Sequence, residues 1–429
     1  MENHLKDALE IRDYAKKNNE MFKESIPLIA SENVMSPLAL EMLLTDFGHR
    51  YAEGLPHHRY YQGNYYVDLM EDKVNEIGKK LFNVPQIDPR PVSGTNANMA
   101  VIFALSRPGE TVTAPDLSGG GHISAAKFGA LGFRGLNIVN YPFNEDTMSI
   151  DPDGAMRVIK EVKPKLALFG QSVFLFPIPL KEMRDVFQEV GCSVWYDAAH
   201  VIGLIAGKQF QDPLHEGADV MSGSTHKTLP GPQHGIILGN TDDETWKKIQ
   251  RGVFPGVLSN HHLNTMAALG VTMAEMIDFG EEYARKTIEN AQTLGQELHS
   301  LGVDVFGEKL GFTKSHTIVA DIRKFGGGKK VAERLERCGI ILNKNLIPVD
   351  KNKNSMDPSG IRIGAQEITR IGFGKDDVRT VAELIHRAIS TETPDDVIRK
   401  DIIQFKSKFN EVKYCYGKEA PYDYITLFK

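Results

Sequence analysis

Short runs of apolar and β-branched residues recur through the middle of the chain and constrain its fold more than any other feature. These runs lie at 111–113, 136–139, 166–169, 192–196 and 235–238. Segments with helical spacing of apolar residues separate several of them, as at 153–162 and 180–190. Strands that alternate with helices are typical of a parallel sheet covered on both faces. We therefore predict an α/β fold with functional residues at the carboxyl ends of the strands.

The remainder of the chain predicts three parts. The first residues resemble an exposed amphipathic helix, whose apolar stripe must dock on the body or on a partner subunit to be buried. Strong helical spacing covers 266–301, and shorter strand-like and helix-like segments follow it. We predict an N-terminal arm at 1–35, a large domain at 36–275 and a small α+β domain at 276–429, which suits a chain of 429 residues.

Charge and cysteine content exclude several classes of protein. Lys and Arg total 50 against 56 Asp and Glu, so the basic excess expected of a nucleic-acid binder is missing. The 3 cysteines are far apart and form no disulfide framework, which suits a reducing compartment. The N-terminus has no secretory signal pattern, and prolines interrupt the most apolar stretch, 166–180. We expect a cytoplasmic protein that binds neither membranes nor nucleic acid.

Lys227 is the first candidate for chemistry. A strand at 219–221 leads into small hydroxylated residues, then Lys227, then glycines and prolines. A lysine taken alone is usually a surface residue, but this setting favours a tight pocket. Burial can leave a lysine partly deprotonated, as nucleophilic attack on a carbonyl requires. Enzymes that use pyridoxal 5′-phosphate (PLP) need such a lysine.

Asp197 strengthens this interpretation because the strand at 192–196 runs directly into it, 30 positions before Lys227. An acid at the carboxyl edge of a sheet can pair with a protonated pyridine nitrogen and keep the ring an electron sink. Taken alone, Asp197 would serve equally well as a helix N-cap. Two weaker signals accompany the pair. Residues 93–98 are suited to phosphate at a helix start, and the glycines before His122 allow close approach to a ligand.

Together these segments resemble the serine hydroxymethyltransferase family, whose members are PLP-dependent transferases of fold type I, over nearly the whole chain. The resemblance rests on the segments 28–33, 50–54, 59–61, 224–228, 254–256 and 359–364. It implies a mostly parallel sheet flanked by helices in the large domain and a smaller α+β domain after it. General enzymes of fold type I share the Asp and Lys, whereas the segments at 28–33 and 50–54 are specific to this family.

The resemblance assigns roles to individual positions. Lys227 corresponds to the lysine that binds PLP covalently, Asp197 to the partner of the pyridine nitrogen, and His122 to the residue that stacks on the ring. Ser172 and His200 correspond to contacts with the ring hydroxyl. The other implied positions are Gly94, Thr95 and His226 at the phosphate, Tyr51 and Gly256 at the phosphate of a neighbouring subunit, Arg362 and Ser31 at the substrate carboxylate, and Leu117, Gly121, Ile123 and Asn345 at the pterin.

Glu53 lies in a polar loop and would ordinarily be a surface residue. The resemblance makes it the acid/base group at the substrate hydroxyl or the incoming pterin, with Tyr61 assisting nearby. Some segments differ from the pattern familiar in bacterial members, namely Gln62, 230–235 and 257–262. They suggest an archaeal branch and leave open whether the carrier is tetrahydrofolate or a methanopterin-type pterin. We predict no metal site, because the adjacent His261 and His262 have no evident partner ligands.

The resemblance therefore implies reversible conversion of serine to glycine, with transfer of a one-carbon unit to a reduced pterin as co-substrate. It also implies a homodimer or larger oligomer with shared active sites; dimer and tetramer both remain open, as do side activities. A pterin-independent threonine or β-hydroxy-amino-acid aldolase would share Lys227 and Asp197. A non-catalytic binding protein on a PLP scaffold is a second alternative, although Lys227, Asp197 and Arg362 are all retained.

Overall fold

The computed structural model describes residues 4–117, 119–145, 148–350 and 356–428. Ser118, within the glycine-containing loop noted above, lies outside them. The helices are α1 (His4–Lys23), α2 (Pro37–Leu43), α3 (Tyr65–Phe82), α4 (Gly94–Leu105), α5 (Ala130–Phe133), α6 (Pro152–Val162), α7 (Leu180–Val190), α8 (Ile202–Ala206), α9 (Pro213–Glu216), α10 (Asp243–Arg251), α11 (Leu263–Ser300), α12 (Gly328–Cys338), α13 (Gln366–Arg370), α14 (Lys375–Ser390) and α15 (Asp395–Lys406).

The strands are mostly short, and the longest of them contain five residues. They are β1 (Ile26–Pro27), β2 (Gly54–Leu55), β3 (His58–Arg59), β4 (Gln86–Asp88), β5 (Thr111–Ala114), β6 (Asn137–Asn140), β7 (Phe143–Asn144), β8 (Ser149–Ile150), β9 (Leu166–Phe169), β10 (Ser193–Asp197), β11 (Val220–Ser224), β12 (Gly235–Gly239), β13 (Asp304–Val305), β14 (Thr317–Asp321), β15 (Ile340–Ile341), β16 (Asn343–Asn345) and β17 (Gly360–Gly364).

A seven-stranded sheet forms the centre of the molecule, in the order β4-β12-β11-β10-β9-β5-β6. Strands β11, β10, β9, β5 and β6 are parallel, whereas β12 runs antiparallel to both of its neighbours. The parallel strands therefore end at one edge, where the loops after β5, β9, β10 and β11 meet. The prediction of a mostly parallel sheet is confirmed, and the apolar runs correspond to strands within one or two residues.

Both faces of this sheet are buried, as the sequence pattern predicts. Along β10, Val194 and Tyr196 belong to one apolar cluster and Trp195 belongs to another. The same alternation separates Ala167 from Leu168 in β9. Successive side chains of a strand point to opposite faces, so each cluster covers one face of the sheet. This explains why the runs are apolar throughout rather than alternating with polar residues.

A second sheet, in the order β13-β14-β17-β16, is antiparallel and belongs to the C-terminal part. Its core includes Ile318 and Ile363, and it also buries Ile26 and Leu28 from the start of the chain. Strand β1 pairs in parallel with β15, which holds the segment after α1 against this core. Helix α11 is continuous and contributes residues to both cores.

Helix α1 has no buried residue of its own and lies alongside the C-terminal tail. The Asn19 amide donates to the Tyr422 carbonyl, and the rings of Phe22 and Tyr422 are stacked with their centroids 6.2 Å apart. The arm therefore docks partly on its own chain, while Leu5 and Ile11 remain exposed. Within the described ranges, no helix is long and apolar enough to cross a membrane.

Candidate active site

Lys227 lies just beyond the carboxyl end of β11 and is only 8% exposed. Its Nζ donates a hydrogen bond to Ser224 Oγ at 2.9 Å. Burial lowers the pKa of Lys227 to about 8, while the charge of Asp197 opposes that shift and the charge of Arg362 adds to it. Lys227 is therefore buried, as the sequence predicts. Such an amine is available as a nucleophile near neutral pH.

Asp197 is the last residue of β10, next to β11 in the sheet, and it is 7% exposed. Its Oδ1 accepts the backbone N–H of Ala199 at 3.0 Å, and its Oδ2 accepts an N–H of Asn98 at 2.8 Å. Burial lowers the pKa of His122, on which the charges of Asp197, Lys227 and Arg362 also act. Four groups from separate segments therefore face one space at the sheet edge: Asp197, His122, Lys227 and Arg362.

Two loops at this edge are tied together by backbone contacts. The Ser172 N–H donates to the carbonyl of Gly120 at 2.7 Å, and the Gln171 amide donates to the carbonyl of Gly119 at 2.8 Å. A Cβ on Gly120 would lie 2.9 Å from the Val173 side chain, so the close approach requires glycine there. These contacts fix the loop that ends at His122 against the loop that carries Ser172.

Arg362 comes from β17 of the second sheet and reaches the same space. Its Nε donates to Asn343 Oδ1 at 3.0 Å, and its Nη1 donates to the Ser172 carbonyl at 2.9 Å. Burial lowers the pKa of Arg362 to about 10, and no ion pair among the described residues involves it. A buried guanidinium without a carboxylate partner is suited to binding the carboxylate of a substrate.

The polar atoms in this space fit PLP. His200 Nδ1 and His226 Nδ1 are buried and have no hydrogen-bond partner among the described residues, so each can serve a bound group. Helix α4 begins at Gly94, whose N-terminal N–H groups suit a phosphate. A Cβ on Gly94 would lie 2.7 Å from Ser224 Oγ, so a larger residue at position 94 would clash with the Ser224 side chain. Thr95, at the same helix start, is exposed and accessible to a ligand.

Tyr51, Glu53, Tyr61 and Gly256 form a second, more exposed group. The rings of Tyr51 and Tyr61 are 5.4 Å apart, and the Glu53 carbonyl accepts the backbone N–H of Tyr60. Tyr51 and Tyr61 are about half exposed, and Gly256 is also exposed. Within the part of the chain that the structure describes, no hydrogen bond joins this group to Lys227 or Asp197.

The remaining predicted residues are Ser31 and the four pterin positions. Ser31 lies in a segment that α13 holds in place, since the Gln366 amide donates to the carbonyls of Ile29 and Glu32. The predicted pterin positions are distributed around the loop before His122 and strand β16. Ile123 is exposed, Leu117 and Asn345 are partly exposed, and Gly121 is buried.

Three polar residues near the site escaped the sequence prediction: Asn98, Asn343 and His316. Asn98 contacts Asp197, Asn343 contacts Arg362, and the His316 ring lies 5.8 Å from that of His200. Burial lowers the pKa of His316 to about 3, so it is neutral at physiological pH. Asn98 can be identified from the sequence because it is polar at a position where helical spacing predicts an apolar residue.

The doubly covered parallel sheet, the buried lysine after one strand and the acid at the end of its neighbour define a PLP-dependent transferase of fold type I. The family model for serine hydroxymethyltransferase matches residues 5–385. The chain therefore belongs to the serine hydroxymethyltransferase family, and it is a PLP-dependent glycine hydroxymethyltransferase.

Relatives named serine hydroxymethyltransferase are similar over nearly their whole length. The Picrophilus torridus protein is 64% identical over 99% of this chain and 98% of its own. The Thermoplasma acidophilum protein is 63% identical over 98% of this chain and 99% of its own. The Methanocella arvoryzae protein is 48% identical over 97% and 98%, respectively. These matches confirm the predicted family and its archaeal branch, and they favour neither the aldolase nor the binding-protein alternative.

Proposed function

We propose that the space around Lys227 is where this chain interconverts serine and glycine, with PLP bound covalently through Lys227. The buried Lys227 beside Asp197, facing an Arg362 without a carboxylate partner, is the observation that carries the proposal. When bound, PLP supplies an electron sink for the negative charge that develops on the substrate α-carbon. His226 and the first turn of α4, with Gly94 and Thr95, hold the phosphate.

Asp197, His122, Ser172 and His200 orient the ring in this proposal. The Asp197 carboxylate faces the pyridine nitrogen and favours its protonated form. His122 would stack on the ring face, and its Nδ1 accepts the backbone N–H of Ser124 at 3.2 Å, which places the proton of the neutral imidazole on Nε2. His200 and Ser172 bind the ring hydroxyl. Burial lowers the pKa of His200 well below its ordinary value, so it acts as a neutral imidazole.

Arg362 binds the carboxylate of serine or glycine, with Ser31 as a second contact. A guanidinium can form two parallel hydrogen bonds to a carboxylate, which fixes the orientation of the amino acid as well as its position. Asn343 and the Ser172 carbonyl already accept from Nε and Nη1 of Arg362, and no hydrogen bond among the described residues uses Nη2, so that nitrogen is available to the substrate. Binding there also compensates a buried positive charge, which increases the affinity for an anion.

Glu53 moves the proton at the substrate hydroxyl, and Tyr61 assists it. Tyr51 and Gly256 extend to the phosphate of a partner subunit, so each site is completed by a second copy of the chain. The exposed aromatic residues around this loop support such an interface, since Tyr60, Tyr65 and Tyr66 are 72%, 69% and 74% exposed. Exposed apolar patches of this kind mark contacts between proteins. A homodimer is the smallest assembly that meets this requirement.

The one-carbon unit passes to a reduced pterin bound near Leu117, Gly121, Ile123 and Asn345. The carrier is either tetrahydrofolate or a methanopterin-type pterin. Turnover of serine to glycine measured side by side with the two pterins decides between them. Equal turnover with and without either pterin would contradict the assignment of these four residues.

We also place the protein in the cytoplasm, because Cys192, Cys338 and Cys415 are free thiols.

The direct test of the site is Lys227→Ala. We expect the purified variant to lose the absorbance of covalently bound PLP and turnover to fall by at least about 10²-fold, because the nucleophilic amine is removed. Lys406→Ala is the matched control, since Lys406 is also buried and burial also lowers its pKa to about 8. That lysine lies beside the Tyr422 ring, away from the site. Full turnover and unchanged absorbance in Lys227→Ala would refute the proposal.

A further inference from the structure

Asn98 occupies a position where the helix pattern calls for an apolar residue. Along α4, Gly94, Asn98, Val101 and Leu105 recur at helical spacing, and all four are buried against the sheet. The Asn98 side chain is only 3% exposed. An amide buried without hydrogen-bond partners would destabilise the fold, so the partners of the Asn98 amide indicate which groups it positions.

The Asn98 amide lies in a chain of hydrogen bonds whose direction is determined. Trp195 Nε1 can only donate, and it donates to Ser222 Oγ at 2.8 Å. The Ser222 hydroxyl then donates its own proton to Asn98 Oδ1 at 2.7 Å. The amide nitrogen of Asn98 must therefore face the opposite way, where it donates to Asp197 Oδ2 at 2.8 Å. Its other N–H faces Ser124 Oγ at 3.4 Å.

This series of hydrogen bonds leaves the Asn98 side chain a single orientation. If the amide flipped, its oxygen would face the Asp197 carboxylate, so this favourable contact would become repulsive, and the Ser222 hydroxyl would lose the acceptor of its proton. In the observed orientation the N–H of Asn98 stabilises the negative charge of Asp197 and fixes the direction of its free lone pairs. The strand register supports this geometry, since Asp197 and Ser222 are direct partners of the neighbouring strands β10 and β11.

We propose that Asn98 is a positioning residue that holds the Asp197 carboxylate against the cofactor ring, in an orientation fixed by Ser222 and Trp195. The inference rests on the proposed role of Asp197 and extends it to a residue that touches neither substrate nor cofactor. Weaker positioning of Asp197 reduces the negative charge that the ring nitrogen senses. That nitrogen then loses its proton at lower pH, and the step in which charge develops on the substrate becomes slower.

The test compares four holoenzymes with the wild type: Asn98→Ala, Ser222→Ala, Asp197→Asn and Thr113→Val. Thr113→Val is the matched control because it removes a buried hydroxyl of the same sheet, one that bonds Tyr141 and not the site. We measure the pH dependence of the absorbance of bound PLP, the Kd for PLP, and kcat and KM for serine. For Asn98→Ala we expect the absorbance transition to shift to lower pH by about one unit and kcat to fall about 10–100-fold.

KM for serine should change little in Asn98→Ala, because Arg362 is untouched, and this separates positioning from a general loss of structure. Ser222→Ala should give smaller changes in the same direction, and it keeps the test valid if Asn98→Ala fails to fold. The double variant Asn98→Ala/Asp197→Asn should be no worse than Asp197→Asn alone, since both changes remove one interaction.

Two results would overturn the inference, and they are distinguishable. If Asp197→Asn shifts the absorbance transition but Asn98→Ala and Ser222→Ala behave like Thr113→Val, Asp197 acts at the ring without help from Asn98. If Asp197→Asn itself leaves the absorbance and kcat unchanged, the proposed role of Asp197 is wrong, and the inference fails with it.

Discussion

Two buried cations, Lys227 and Arg362, dominate the site, and neither has a carboxylate ion-pair partner in the described part of the chain. Burial lowers the pKa of both, so the fold holds them at an energetic cost. A fold that keeps two such groups together gains stability when anions bind. The phosphate of PLP and the substrate carboxylate are anions of this kind, which is why the net charge of −6 says little about the site.

Replacement of Arg362 by lysine tests the carboxylate assignment. Arg362→Lys keeps the positive charge but loses the planar fork, so we expect KM for serine to rise about 10–100-fold with a smaller change in kcat. Steady-state kinetics with serine as the varied substrate measures both parameters. Arg323→Lys is the control, because that arginine is exposed and pairs with Asp321 at the surface. An unchanged KM in Arg362→Lys would contradict the assignment.

Glu53 provides the second prediction at this scale. Glu53→Gln keeps the size and polarity of the side chain but removes the acid/base group, so we expect kcat to fall about 10²–10⁴-fold while KM for serine stays close to the wild type. Glycine binding, followed by the absorbance of bound PLP, should be unaffected, because glycine has no hydroxyl. A Glu53→Gln enzyme with normal kcat would assign the proton transfer to another group.

The sequence predicted the residues that carry charge or hydroxyl groups at strand ends, but not the residues that hold them. Lys227 and Asp197 are recognisable because each follows an apolar run at a sheet edge. Asn98 belongs to the segment at 93–98, which the sequence predicts only as a phosphate turn. Its partner Asp197 lies 99 residues further along the chain, and no local pattern reveals that contact. Asn343 and His316 were missed for the same reason.

At the scale of elements, the contact between α1, α13 and the C-terminal tail buries a carboxyl group outside the site. Tyr422 donates its hydroxyl proton to Glu367 Oε1 at 2.7 Å, and Glu367 Oε2 has no partner among the described residues. Burial raises the pKa of Glu367 to about 7. A carboxyl group with a raised pKa in the folded protein stabilises it fully below its ordinary pKa, and this contribution is lost as the pH rises through the raised value.

Glu367→Gln should therefore change the pH dependence of stability between about pH 4.5 and pH 7. Glutamine cannot ionise, so relative to the wild type the variant gains up to about 3 kcal/mol of stability as the pH rises through this window. Other groups also contribute to the pH dependence of stability there, and the difference between variant and wild type removes their contribution. Thermal unfolding at several pH values measures it. Glu383→Gln, on the exposed face of α14, is the control and should show no such trend.

A pH-independent difference between Glu367→Gln and the wild type would show that Glu367 does not titrate in this window. The nearby Lys406 does not obscure the result, because burial lowers its pKa only to about 8 and it stays charged across most of the range. The predicted N-terminal arm thus contacts the C-terminal tail at Tyr422. The sequence does not reveal that Tyr422 donates a hydrogen bond to the buried Glu367 carboxyl group, since the two residues lie 55 positions apart.

At the scale of the whole molecule, the fold was predictable where local patterns determine it. The apolar runs specify the large sheet, and the helical spacing of 266–301 specifies α11. Two features were not predictable from local pattern. Strand β12 reverses direction within the sheet, and Ile26 and Leu28 join the core of the distant C-terminal part. Both depend on contacts between segments far apart in the chain, which periodicity cannot encode.

The exposed group around Tyr51 allows a test of whether two subunits share their active sites. If Tyr51 completes the site of the partner subunit, Lys227→Ala and Tyr51→Ala damage the same site from different chains. In a mixed dimer one site then carries both changes and the other carries neither. Random exchange between the two inactive variants should therefore restore about a quarter of the wild-type sites.

Mixing equal amounts of the variants under mild denaturant and then measuring turnover and bound PLP checks this expectation. Lys227→Ala mixed with Asp197→Asn is the control, because both changes lie in the same chain's part of the site and every mixed dimer keeps one damaged residue in each site. No recovery in the first mixture, with subunit exchange proved by differently tagged chains, would mean that Tyr51 serves its own subunit. Recovery above the control would show that Tyr51 completes an active site on a second copy of the chain.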